Sequence, residues 1–157
     1  MPTVARAFAA FQRQDFASAI ALIEAHHDEL GGVIVEPFQR LLPPVPGFLE
    51  ALREVTARYG IPLIFDEVVT GFRFAWGGAQ EFYGVTPDIC TLGKIIGGGF
   101  PLGACLATEK AARGMVIGAH GSTYGGNPLA MAAGEAVLDA VANDEFLAHV
   151  RAMSDKL

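Results

Sequence analysis

Lys94 stands in the run Thr91-Leu92-Gly93-Lys94-Ile95-Ile96-Gly97-Gly98-Gly99, downstream of Ile64-Phe65-Asp66-Glu67-Val68. An acid closes an apolar stretch, and a lysine follows among glycines with almost no other charge nearby. Desolvation disfavours an ammonium, so a lysine in such a setting is expected to have a lowered pKa. A neutral lysine amine attacks an aldehyde and forms a Schiff base. An aspartate held nearby keeps a pyridine nitrogen protonated. Together the two residues point to covalent carbonyl chemistry on a pyridine ring. Each also has a plainer reading: Asp66 as a helix cap or strand-end salt bridge, Lys94 as a solvated surface lysine.

Other uses of glycine with lysine fail on spacing. A phosphate loop of the form G-x-x-x-x-G-K-[ST] needs glycine at 88 and a hydroxyl residue at 95, which are Asp88 and Ile95. A dinucleotide fingerprint starting at Gly97 needs glycine at 102, which is Leu102. Ser122 and Thr123 precede Asn127-Pro128 at an apparent helix start, with glycines on both sides. Hydroxyls and free N–H groups there suit a phosphate, and they equally suit an ordinary N-cap. Glu36 ends another strand and reads as structural. His120 is isolated, and His26, His27 and His149 are assigned no role. Cys90 and Cys105 fit neither a metal spacing nor a disulfide framework. They read as two buried free thiols in a reducing cytosol.

The elements that must position these residues alternate. Helices are expected over 16–30, 47–59, 77–83, 108–113, 127–141 and 144–156. Strands are expected over 32–36, 62–66, 88–92 and 102–107, with a proline-rich loop over 37–46. That alternation predicts α/β architecture with a mostly parallel sheet flanked by helices. The 157 residues suffice for one domain, and 52% hydrophobic with 18% charged residues predict a well-buried interior. The net charge of −6 and the lack of a basic stripe argue against nucleic acid and anionic membranes. No apolar window has the length of a membrane span, and no apolar signal core follows Met1.

The run Leu63-Ile64-Phe65-Asp66-Glu67-Val68-Val69-Thr70-Gly71-Phe72-Arg73 resembles the signature of class III aminotransferases, which use pyridoxal phosphate. So do Gly84-Val85-Thr86-Pro87-Asp88, Leu92–Ala104 and Gly121–Ala130, and their order and spacing agree over residues 31–140. The stretch 47–103 most resembles the glutamate-1-semialdehyde aminomutase branch. The resemblance implies the large domain of a fold type I pyridoxal phosphate-dependent transferase, in incomplete form. Residues 1–143 would be its central and later part, and 144–157 a helix leading towards a C-terminal small domain. It implies an enzyme, an aminotransferase or aminomutase, acting on a small-molecule amino donor and carbonyl acceptor. It further implies a cytoplasmic homodimer.

Residue by residue, the resemblance implies that Lys94 carries the Schiff base and shuttles the proton. Asp66 would pair with the pyridine nitrogen, and Val68 would pack on a ring face. Thr123, with Ser122, would bind the cofactor phosphate of the partner subunit. Glu36 would be a structural acid near the site. Arg40-Leu41 and Val69 depart from the ornithine-type pattern, which argues against a basic ω-amino acid substrate. Cys105-Leu106-Ala107 replaces the glycines usual in the aminomutase branch. The family's chains are far longer, with a phosphate loop and a stacking aromatic upstream. A non-catalytic truncated remnant is therefore the main alternative. An ω-amino acid:pyruvate aminotransferase or a pyridoxal phosphate-dependent decarboxylase is the second. A truncated sheet is also expected to aggregate or pair obligately.

Overall fold

Short β-branched and aromatic runs, closed off by glycine, proline or aspartate, become the sheet. The computed structural model describes residues 15–156. In chain order it has α1 (Phe16–Ala25), β1 (Val33–Val35), α2 (Phe48–Tyr59), β2 (Leu63–Asp66) and α3 (Gly78–Tyr83). Then come β3 (Ile89–Leu92), β4 (Ala104–Ala107), α4 (Glu109–Ala112), α5 (Pro128–Val141) and α6 (Asp144–Ser154). Single 3-10 turns occupy Gln39–Leu41 and Lys94–Gly97.

The strands lie in the order β1-β2-β3-β4. β1, β2 and β3 are parallel and β4 is antiparallel to β3. Ile34 pairs with Ile64, Ile64 with Ile89, and Asp66 with Thr91. Because side chains alternate along a strand, Val33, Val35, Leu63 and Phe65 share one face. Val35, Leu63 and Phe65 form the core there with Ile23 of α1 and Phe48, Leu49, Leu52 and Val55 of α2. The Phe16 and Phe48 rings stack 4.0 Å apart where the two helices meet. On the opposite face Ile34 is 64% exposed, and Ile64, Asp66, Ile89 and Thr91 are half-buried.

The caps follow the sequence. Asp15, Thr108, Asn127 and Asn143 each accept a backbone N–H at the start of α1, α4, α5 and α6. Gly60 and Gly84 close α2 and α3 in the left-handed conformation. α1 stops at Ala25, short of the expected residue 30. The His27 Nδ1 lies 2.9 Å from the Glu24 carbonyl and the His26 Nδ1 lies 3.3 Å from Glu29 Oε1, so local side-chain bonds hold a turn there instead. β4 starts at Ala104 and not at 102, because β3 ends at Leu92, the partner of Ala104, and leaves residues 102 and 103 nothing to pair with. α6 ends at Ser154. All four β4 residues are exposed. Cys90 is buried but Cys105 on β4 is exposed, so only one of the two thiols expected to be buried is so.

Candidate active site

The carboxyl ends of β2 and β3 bring the main sequence-derived residues together. Asp66 is the last residue of β2 and lies level with Thr91 on β3. Its Oδ1 accepts the Val68 N–H at 3.1 Å and the Thr91 hydroxyl at 3.5 Å. Among the described residues Asp66 enters no ion pair and caps no helix, so neither plainer reading describes it. Its Oδ2 accepts no hydrogen bond from them, and the residue is half-buried on the sheet face opposite the core.

β3 runs through Gly93, which is extended, into Lys94. A side chain at Gly93 would meet Val68 Cγ1 at 3.3 Å, so glycine lets the two strand ends close on each other. Lys94 has φ 50°, one of three non-glycine residues at positive φ among those described. That conformation is costly for a lysine and recurs at functional sites. The side chain is exposed and bonds to no described residue. The burial expected around Lys94 is therefore not supplied by the described residues. Glycines around it have a packing purpose too. A methyl at Gly98 would strike Val137 Cγ2 at 2.7 Å, and one at Gly134 would strike Leu102 Cδ2 at 2.6 Å. α5 thus seats directly against the turn that carries Lys94.

Glu67 was not singled out by sequence reasoning. It is 1% exposed. Its Oε2 accepts the Thr70 hydroxyl at 2.8 Å and the Ala79 N–H at 2.5 Å. Its Oε1 accepts the Gln80 N–H at 3.1 Å and the Gln80 Nε2–H at 3.4 Å. The signal was available: neighbouring strand residues face opposite sides, so an outward Asp66 sends Glu67 inward. There it needs donors, and α3 has Gly77 at its N-cap, with no capping side chain of its own. Glu67 also bears on Cys90. Burial, then the Glu67 charge, push that thiol up to about 12, and Cys105 and Asp66 add to the rise against a weaker pull from Gln80.

Ser122 and Thr123 lie on an exposed loop before α5. The Ser122 hydroxyl accepts the Gly125 N–H at 2.9 Å, and Asn127 makes the helix cap. No hydrogen bond joins either residue to Asp66 or Lys94. Glu36 follows Val35, which pairs with Phe65, so it stands beside Asp66 at the carboxyl ends of the parallel strands, where it lines a shallow cleft with Phe16, Gln39, Arg40 and Phe48. Asp66, Val68, Lys94 and Glu36 therefore share one end of the sheet, while no hydrogen bond ties Ser122 or Thr123 to it. No helix among the described residues is long and apolar enough to cross a membrane.

The family model described as aminotransferase class-III matches residues 6–157. The chain is 47% identical over 151 residues to a glutamate-1-semialdehyde 2,1-aminomutase 2 of Brevibacillus brevis, covering 91% of this chain and 35% of that protein. It is 50% identical over 145 residues to an acetylornithine aminotransferase of Agrobacterium fabrum, covering 90% of this chain and 36% of that one. A solved transaminase with PLP bound superposes with a TM-score of 0.72 at 30% identity, over 81% of this chain and 32% of that chain. The chain thus spans about a third of the length of the relatives it matches.

Proposed function

The chain belongs to the class-III aminotransferase family, and from that premise we propose that it is part of a pyridoxal phosphate-dependent enzyme moving an amino group. One observation carries the reading: a carboxylate with a spare oxygen and an exposed amine stand at the same end of neighbouring strands. These residues fit the cofactor by type. Asp66 Oδ2 has no partner among the described residues, and Gly93 keeps the space between Val68 and the Lys94 backbone clear of side chain.

Pyridoxal phosphate, when bound, supplies an aldehyde carbon open to amines and a ring that takes up the electron pair released beside it. Lys94 Nζ would hold that carbon and later act as the base that shuttles the substrate proton. Asp66 would accept the ring N–H and keep it protonated. Val68 would pack on the ring face. Thr123, with Ser122, would hold the phosphate of a partner subunit's cofactor. Their exposed loop, distant in bonding from Asp66 and Lys94, is compatible with service in trans. The substrates would be a small amino donor and a carbonyl acceptor, or one molecule that is both. Resemblance to an aminomutase and to an acetylornithine aminotransferase at similar identity supports the shared chemistry and not one substrate.

Assembly as a homodimer is supported by Met115, Val116 and Ile117, which are 63%, 66% and 106% exposed. Residues 1–143 would belong to the large domain, with 144–157 leading to a small domain; residues 1–14 and 157 lie outside the described residues. Two free thiols support a reducing, cytoplasmic setting. The second reading, a non-catalytic chain, is favoured by the exposure of Lys94 and by the half-open sheet face.

Cofactor capture separates the two. The purified chain is mixed with pyridoxal phosphate, reduced with borohydride and mapped by peptide mass. Stoichiometric labelling at Lys94 alone supports the enzyme. No labelling, or scatter over Lys94, Lys110 and Lys156, supports the non-catalytic chain.

A further inference from the structure

Glu67 is a buried carboxylate that enters no ion pair among the described residues. Burying such a group is costly unless every acceptor site is used. Here they are: both oxygens take two donors each, from Thr70, Ala79 and Gln80. Gly78, at φ 71°, leaves no room for a side chain beside this carboxylate. A cap for a six-residue helix would not need this. A serine or aspartate at position 77 would cap it at the surface.

What the arrangement does achieve is fixation of the β2 terminus. The Glu67 side chain binds the 70–80 segment on the inner face, and its N–H donates to the Thr91 carbonyl at 2.9 Å. The Thr91 hydroxyl in turn touches Asp66 Oδ1. The peptide between Asp66 and Glu67 is thereby held from both sides, and Asp66 can leave the strand in one direction only.

Resting on the functional reading above, we propose that Glu67 is a positioning residue that aims the Asp66 carboxylate at the ring nitrogen of the cofactor. It acts through the shared peptide and through Thr91, and touches neither cofactor nor substrate. Charge and shape both matter. A glutamine at 67 would turn an NH2 group towards two donors, so the isosteric replacement is as disruptive as truncation.

The test uses the full chain, pyridoxal phosphate as the probe, and two variants. Glu67→Gln breaks the cluster, and Thr70→Val removes one of its four donors and keeps the test open where Glu67→Gln does not fold. The readouts are cofactor affinity and the visible circular-dichroism band of the bound cofactor, which follows ring orientation. Far-ultraviolet circular dichroism monitors folding. Both variants are expected to bind pyridoxal phosphate roughly tenfold more weakly and to show a diminished or inverted visible band. Folded variants that keep the wild-type affinity and band, whatever their melting temperature, overturn the proposal and leave Glu67 a structural cap. If the wild-type chain captures no cofactor at Lys94, the functional reading fails first and the proposal falls with it.

Discussion

Asp88 Oδ2 receives the Arg53 Nη1–H at 2.8 Å and the Leu63 N–H at 2.9 Å, so a single carboxylate oxygen joins α2 to the start of β2. The Asp88 backbone completes the joint. Its N–H donates to the Leu63 carbonyl at 2.8 Å, and its carbonyl accepts the Thr108 N–H at 2.9 Å. The amino ends of the strands are thus locked at the end of the sheet opposite Asp66 and Lys94.

That joint makes stability depend on acid. Burial pushes the Asp88 carboxyl up, but the Leu63 N–H and the bond and charge of Arg53, with Lys110 behind them, hold it below its ordinary value of 3.8. A group whose folded pKa is depressed stabilises fully above its unfolded pKa and loses that stabilisation as pH falls through the folded one. Asp88→Asn should therefore cost about 1–2 kcal/mol near neutral pH and flatten the acid limb of the stability profile below 3.8. Urea unfolding across that range measures it. An acid limb as steep as in the wild type would mean that Asp88 does not carry the joint.

Two glycines separate backbone strain from side-chain collision. Gly60 and Gly78 both have positive φ, at 69° and 71°. A methyl at Gly60 meets nothing within 4 Å, whereas one at Gly78 drives into the Glu67 carboxylate. Gly60→Ala should cost about 1–2 kcal/mol, the left-handed penalty alone. Gly78→Ala should cost that and roughly 1–3 kcal/mol more from the disturbed hydrogen bonds. Denaturant unfolding of the pair would show it, and equal losses would mean that the Glu67 cluster yields freely.

The parallel strands were legible because each is bounded by residues with local meaning: Gly32 and Pro37, Pro62 and Asp66, Pro87 and Gly93. Asp66 and Lys94 were legible for the same reason, since both sit where an apolar run ends. Other features depend on partners far along the chain. The reversal of β4 is set by the turn at Lys94–Gly97 and the packing of α5 on it, not by residues 102–107 themselves. The exposure of Cys105 follows from β4 being an edge. Glu67 resembles a solvent-facing acid until its donors, which come from 70, 79 and 80, are folded beneath it. Side-chain bonds at His26 and His27 likewise ended α1 where periodicity alone would extend it.

The two thiols should differ in chemistry. Cys90 is buried and pushed up to about 12, chiefly by burial and then by Glu67. Cys105 is exposed on the edge strand. A maleimide at neutral pH should label Cys105 rapidly and leave Cys90 unmodified until the protein unfolds. Peptide mass mapping over time reads both sites in one sample. Matched labelling rates would show that β3 opens readily and that its packing beneath Asp66 is loose.

The strictest test of the site compares its lysine with the other two. The chain has three lysines, Lys94, Lys110 and Lys156, and all are exposed. Accessibility therefore cannot select Lys94 for cofactor capture; any selectivity must come from Asp66, Val68 and the glycine-lined approach. Lys94→Ala should abolish capture without moving it to Lys110 or Lys156. Asp66→Asn presents a different loss. The amide oxygen can still accept the Val68 N–H, so the strand end stays in place, but the neutral side chain no longer favours a protonated ring. Capture at Lys94 should survive that substitution, while turnover in the full chain falls about a hundredfold or more. Capture that migrates to Lys110 in Lys94→Ala would reduce the lysine to one reactive amine among three. Unchanged turnover in Asp66→Asn would remove the carboxylate from the chemistry and leave it only its bonds to Val68 and Thr91.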